Sequence, residues 1–130
     1  MARTVVDGMN VIGSRPDGWW RDRDAAAQRL LVRLQHAATR SHDALTLVLD
    51  GRPPADVPEG VHDGVEVRYA RRRGRDAADD RIVELVAADS DPASVRVVTS
   101  DRELADRVTA FGATTEGAGA FLHRLDDLGV

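Results

Sequence analysis

Short apolar, β-prone runs alternate along this chain with segments whose apolar residues recur at helical spacing, and few folds accommodate that alternation. Residues 4–6 (TVV) predict a short strand that ends in a tight turn at Asp7-Gly8. Residues 24–41 place Ala27, Leu30, Leu31, Leu34, Ala37 and Ala38 on one helical face, with Asp24 as the N-cap. The unbroken run Ala44–Leu49 reads as a strand buried on both faces and stops at the breaker cluster Asp50-Gly51-Arg52-Pro53-Pro54. Val65–Tyr69 alternates like a half-exposed strand, and residues 79–88 form a helix with Ile82, Val83, Leu85 and Val86 inward. Residues 95–99 predict another strand. Ser100 and Glu103 then have capping-box spacing for a helix reaching about Phe111. Gly112 ends that helix, residues 113–115 suggest a short last strand, and residues 119–128 a closing helix. Residues 15–23 and 51–64 read as surface loops.

This pattern predicts a three-layer α/β/α fold with a mostly parallel central sheet of the Rossmann-like kind, in a single domain spanning residues 1–130. At 130 residues the chain has room for one core, and its 42% hydrophobic and 31% charged shares are those of a globular protein. All 18 basic residues are arginine, and cysteine is absent. These absences exclude disulfides, thiolate zinc sites, a cysteine nucleophile, a Walker A loop and a lysine Schiff base. No apolar run approaches a membrane span, and the first residues (MARTVVDGMN) lack the apolar region of a secretory signal, so the expectation is a cytoplasmic protein without a membrane partner.

In such sheets functional groups collect at the carboxyl ends of the strands. Asp7 follows the first strand, Asp50 the second, and Asp101 comes two residues after Thr99; Asp79 and Asp80 open a helix that reaches the same edge. Carboxylates gathered that closely repel one another unless a cation neutralises them, and an all-oxygen set suits Mg²⁺ first and Mn²⁺ next. Asn10 adds an amide to the group. The structural reading stands beside this one: Asp79, Asp80 and Asp101 are also favoured at helix starts, and Asp50 in a turn. Asp7, followed by Gly8-Met9-Asn10 and not by an immediate helix, is poorly explained by capping.

Three segments, Asp7-Gly8-Met9-Asn10-Val11-Ile12-Gly13, Ala78-Asp79-Asp80-Arg81-Ile82-Val83-Glu84-Leu85 and Val97-Val98-Thr99-Ser100-Asp101-Arg102-Glu103-Leu104, resemble the NYN branch of the PIN-like nucleases, most closely the YacP-type bacterial ribonucleases. The resemblance runs in order through nearly the whole chain. It implies a PIN-like fold, with Asp7, Asp79, Asp80 and Asp101 as catalytic, metal-binding carboxylates and Asn10, Thr99 and Ser100 in support. The chain is shorter than YacP-type proteins usually are, and residues 51–64 offer nothing to align, which leaves Asp50 without an assigned role.

Read this way, the chain is a metal-dependent endoribonuclease acting on single-stranded RNA with Mg²⁺ or Mn²⁺, chemistry that needs no lysine, cysteine or histidine. Ribosome association is a further expectation. Arg71, Arg72, Arg73 and Arg75, with Arg68 before them and Arg81 after, suit RNA phosphates or, on the structural reading, a solvated loop that offsets nearby aspartates. Trp19-Trp20 either stacks on unpaired bases or anchors its loop. His36, His42, His62 and His123 show no ligand spacing. Two alternatives stay open: a non-catalytic RNA- or ribosome-binding module on the same fold, and a toxin-type PIN nuclease. The four candidate carboxylates match the formal charge of −4, so the remainder of the chain is neutral and compatible with an RNA partner.

Overall fold

The computed structural model describes residues 2–41, 43–51, 53, 57–71, 74 and 76–130. The elements run β1 (Arg3–Asp7), α1 (Gly8–Gly13), α2 (Arg23–Ala38), β2 (Ala44–Leu49), β3 (Gly60–His62), β4 (Val65–Tyr69), α3 (Ala77–Ala88), β5 (Val95–Val98), α4 (Arg102–Thr109), β6 (Thr114–Glu116) and α5 (Ala118–Asp127). The six strands form one sheet in the order β3-β4-β2-β1-β5-β6, parallel throughout except for β3 against β4.

Successive strand residues point to opposite faces, and the chain uses both. Val6, Leu47 and Val98 face α1, α2 and α5, packing with Leu30, Leu34 and Phe121. Val5, Val48 and Val97 face α3 and α4, packing with Ile82, Val86, Leu104 and Val108. Burial on both faces is why β1 and β2 read as continuous apolar runs. Nearer the sheet edge, β4 buries Val65, Val67 and Tyr69 and leaves Glu66 and Arg68 half-exposed.

Several local expectations need correction. A helix follows Asp7 at once, because Gly8 lets α1 start hard against β2: a Cβ there would lie 2.7 Å from Leu49 Cδ2 and 2.8 Å from the Val48 carbonyl oxygen. The N-cap of α2 is Asp22, whose carboxylate accepts from the Ala25 N–H at 3.0 Å; Asp24 lies inside the first turn. Asp101, not Ser100, caps α4. Strand β3 lies within residues read as loop. It forms a hairpin with β4 through Asp63-Gly64, whose φ values of 48° and 87° are the two positive angles a type I′ turn requires.

Candidate active site

The strand order brings the first and last predicted carboxylates together. Pairing of Val6 with Val98 sets Thr99 beside Asp7 at the carboxyl end of the two central strands. Asp7 is 5% exposed. It stands at the N-cap position of α1, where the Asn10 backbone amide lies near its carboxylate without closing a cap bond of normal geometry. Instead Asp7 Oδ2 accepts a hydrogen bond from the Thr99 hydroxyl at 2.9 Å. The same Thr99 oxygen accepts the Asp101 N–H at 3.1 Å, so one hydroxyl links the two acidic residues.

Asp101 in turn starts α4, its Oδ1 accepting the N–H of Glu103 at 3.0 Å and of Leu104 at 3.4 Å. The cap thus uses one carboxylate oxygen, and the capping and site readings of Asp101 are compatible. Asn10 Oδ1 accepts the Ser100 N–H at 2.8 Å, tying α1 to the turn after β5. Ser100 Oγ accepts the Ala118 N–H at 2.9 Å and serves the start of α5, which begins at a glycine without a capping side chain. Asn10, Thr99 and Ser100 each make a specific bond along the acidic edge.

Burial and charge repulsion both act on this group. Burial pushes the Asp7 carboxyl from 3.8 up to about 6; the Asp79 and Asp101 charges add to the rise, while the Thr99 hydroxyl and the Asn10 backbone amide oppose it. Asp79, in the first turn of α3, is also raised to about 6, by burial and then by Asp101, Asp76 and Asp80, against the pull of Arg107. Asp7, Asp79 and Asp101 thus share one electrostatic environment. Among the described residues, no three His, Asp or Glu side chains converge closely enough to enclose a metal ion.

A YacP-like NYN domain model matches residues 4–129. The chain belongs to the YacP-like NYN domain family. Two crystal structures of Rae1 (YacP) from Bacillus subtilis, one of them a mutant, share its fold at TM-scores of 0.78 and 0.76. Each is 24% identical in sequence and covers 98% of this chain, which corresponds to 76% and 75% of theirs. Comparison with curated protein sequences gives no match. The YacP-like NYN fold is a nuclease-type, RNA-related one, and the acidic edge lies where such α/β sheets carry their function.

The remaining candidates in this NYN domain are placed differently. Asp80 forms an ion pair with Arg107 at 3.0 Å, joining α3 to α4. Arg71 is exposed and held by Glu84 through bonds of 2.7–3.1 Å. Arg81 is buried, 6% exposed, with Glu84 at 3.4 Å and Glu59 at 3.8 Å, and its Nε has no hydrogen-bond partner among the described residues. An inward-facing arginine of this kind is not presented to RNA, so its expected substrate role gives way to packing against α3's acidic neighbours. Arg72, Arg73 and Arg75 lie outside the described residues, as does His42. Asp50 is exposed at the end of β2 and is absent from the charges acting on Asp7. Trp19 packs partly against the core and meets Trp20 edge-on at 5.9 Å, whereas Trp20 is 53% exposed. Among the described residues no helix is long and apolar enough to cross a membrane.

Arg107 is the residue sequence reasoning missed. It follows Leu104 by three positions, so it lies on the flank of the helix face that packs toward α3; that spacing was a usable signal. Asp76, at φ 64° just before α3, adds to the negative field on Asp79 and carried no recognisable pattern.

Proposed function

We propose that this chain is a metal-dependent endoribonuclease that hydrolyses RNA phosphodiester bonds at the edge formed by Asp7, Asp79 and Asp101, leaving 5′-phosphate and 3′-hydroxyl ends. The observation that carries this reading is the pair of carboxyls, Asp7 and Asp79, each raised to about 6 by burial and by the charge of neighbouring aspartates, Asp101 acting on both. Groups so placed gain from a cation and have no lysine to supply one. The donor set is all oxygen, which fits Mg²⁺ or Mn²⁺. Mg²⁺ commonly takes one or two carboxylates and completes its shell with water and substrate phosphate, so an enclosing three-carboxylate cage is not required.

Asp7 and Asp79, with Asp101 beside them, would hold the ion. When bound, it supplies the positive charge that admits a phosphodiester and makes a water acidic enough to attack. The chain's own residues set the stage for that step. Thr99 fixes the rotamer of Asp7 and, through the Asp101 N–H, the start of α4. Asn10 and Ser100 keep α1, the turn after β5 and α5 in register around them. Arg107 draws Asp80 toward α4 and moderates the field on Asp79.

The test is incubation of single-stranded RNA with Mn²⁺ or Mg²⁺ and analysis of product ends. Cleavage that Asp7→Asn abolishes is expected; no cleavage with either metal, or cleavage unchanged in the variant, refutes the proposal. A second reading, a non-catalytic RNA- or ribosome-binding domain, keeps the same fold without the reaction. Calorimetry separates the two, because only the nuclease needs Mn²⁺ affinity that Asp7→Asn removes.

A further inference from the structure

A cavity of about 240 Å³ opens beside the acidic edge, at the carboxyl ends of β2 and β4 and against α2. Its floor is apolar, formed by Met9, Ala27, Leu31, Leu49 and Tyr69. Met9 belongs to the first turn of α1, two residues after Asp7, and Leu49 follows Val48, the register partner of Asp7. Leu49 and Tyr69 belong to the face covered by α2, whereas Asp7, paired with Val48, belongs to the face covered by α3 and α4, so the cavity and the carboxylate share the carboxyl edge of the sheet from its two sides.

The cavity combines an apolar interior with exposed polar residues, Asp24, Gln28 and Asp50, in its lining. Tyr69 is held rigidly: its hydroxyl donates to the Val57 carbonyl at 2.8 Å and its N–H to Glu59 Oε1 at 2.9 Å. Asp24 and Asp50 stand at the mouth, and among the described residues neither has a hydrogen-bond or ion-pair partner. Arg23, the one basic side chain in the described lining, lies over the Trp19 ring at 5.4 Å. The volume is below the ~300–1,000 Å³ typical of pockets for drug-sized ligands and suits a single ring system.

We infer that this cavity receives one unstacked guanine base of the RNA whose phosphodiester reacts at the acidic edge; the inference builds on the nuclease reading above. Carboxylates only accept hydrogen bonds, so the rim selects a base that presents donors. Guanine offers N1–H and the 2-amino group side by side, matching a carboxylate through two parallel bonds. Adenine and cytosine offer one amino group each, and uracil a single N–H between two carbonyl oxygens that a carboxylate repels. Asp50 thereby acquires a role separate from the cluster around Asp7: it reads the base while the cluster handles the phosphate.

The experiment titrates the full chain with guanosine, inosine and uridine and follows backbone amides by ¹H–¹⁵N correlation spectra. Nucleosides carry no phosphate, so binding is read without metal or cleavage. Guanosine is expected to shift the amides of Leu31, Gly51 and Val57 and to bind about tenfold more tightly than inosine or uridine, the discrimination a bidentate contact commonly gives. The exposed double substitution Asp24→Asn with Asp50→Asn should erase that preference, and Ala27→Phe should fill the cavity and abolish binding. Equal affinity for the three nucleosides, shifts elsewhere on the protein, or a preference that survives the double substitution overturns the inference. Guanosine selectivity without RNA cleavage would keep the base site and remove the nuclease reading; cleavage without guanosine selectivity would do the reverse.

Discussion

Replacing Asp7 by asparagine should stabilise the metal-free protein at neutral pH while disabling its proposed chemistry. Folding lifts the Asp7 carboxyl from 3.8 to about 6, chiefly by taking it out of water. Each unit in pKa is worth about 1.4 kcal/mol, so ionised Asp7 disfavours the fold by up to about 3 kcal/mol. Below about pH 4 the carboxyl is neutral in both folded and unfolded chains, and this cost is absent. As pH rises from 3.8 toward about 6, the unfolded chain releases its proton while the folded chain retains it, and stability falls. Above that range both forms are charged and the cost is complete. Asparagine has nearly the same shape, and its carbonyl can accept the Thr99 hydroxyl as the carboxylate does. Urea unfolding followed by circular dichroism, in EDTA, should therefore find Asp7→Asn more stable by about 1–3 kcal/mol at pH 8. The gain should shrink as the pH is lowered through 6 and largely vanish near 4. Mg²⁺ at about 100 times its Kd should add about 2.7 kcal/mol to the parent and little to the variant. A variant no more stable than the parent at pH 8, or a gain that does not fade with acid, would refute the account of Asp7 as a buried, repelled carboxylate.

Gly8→Ala should destabilise the fold by about 1–3 kcal/mol, since its methyl would press on both Leu49 and the Val48 carbonyl; thermal unfolding reads this directly, and a neutral result would mean that α1 is free to move off β2. Thr99→Val removes the donor to Asp7 and the acceptor of the Asp101 N–H. Side-chain carboxyl NMR should then find the Asp7 titration moved above its value near 6, because the Thr99 bond is what holds it down, with a stability loss of about 1–2 kcal/mol.

Much of the fold was legible because its signals are local. The apolar runs at β1, β2, β4 and β5, the inward stripes of α2 and α3 and the extent of α5 agree with the sequence reading to within a few residues. Strand β3 went unread even though Asp63-Gly64 is a strong hairpin pair, because the residues before it are too few and too polar to show alternation. Caps were less legible. Asp22 and Asp24 both suit an N-cap, as do Ser100 and Asp101, and the choice depends on where the preceding strand or turn delivers the chain. Asp7, Asp50, Asp101 and Asn10, with Asp79 and Asp80 at a helix start, were readable as candidates from their places in the chain, whereas Thr99 and Ser100 came only with the family resemblance. The state of Arg71 and Arg81 was not, since Glu84 reaches Arg71 and Glu59 reaches Arg81 only in the folded chain; the Arg81–Glu84 pair within α3 alone is local.

By itself, the sequence determined a layered α/β fold and an acidic carboxyl edge, because hydrophobic period and strand-end position are properties of short segments. Tertiary structure decided which of those acids matter to one another. The order β2-β1-β5 joins Thr99 to Asp7 across 92 residues of chain and buries that carboxylate. The packing of α3 on α4 gives Asp80 its arginine, and the approach of α2 to the ends of β2 and β4 makes a cavity beside Asp50. Periodicity survives in any isolated stretch of sequence, whereas burial, repulsion and cavity shape depend on distances between residues far apart in the chain, and only the folded sheet sets those distances.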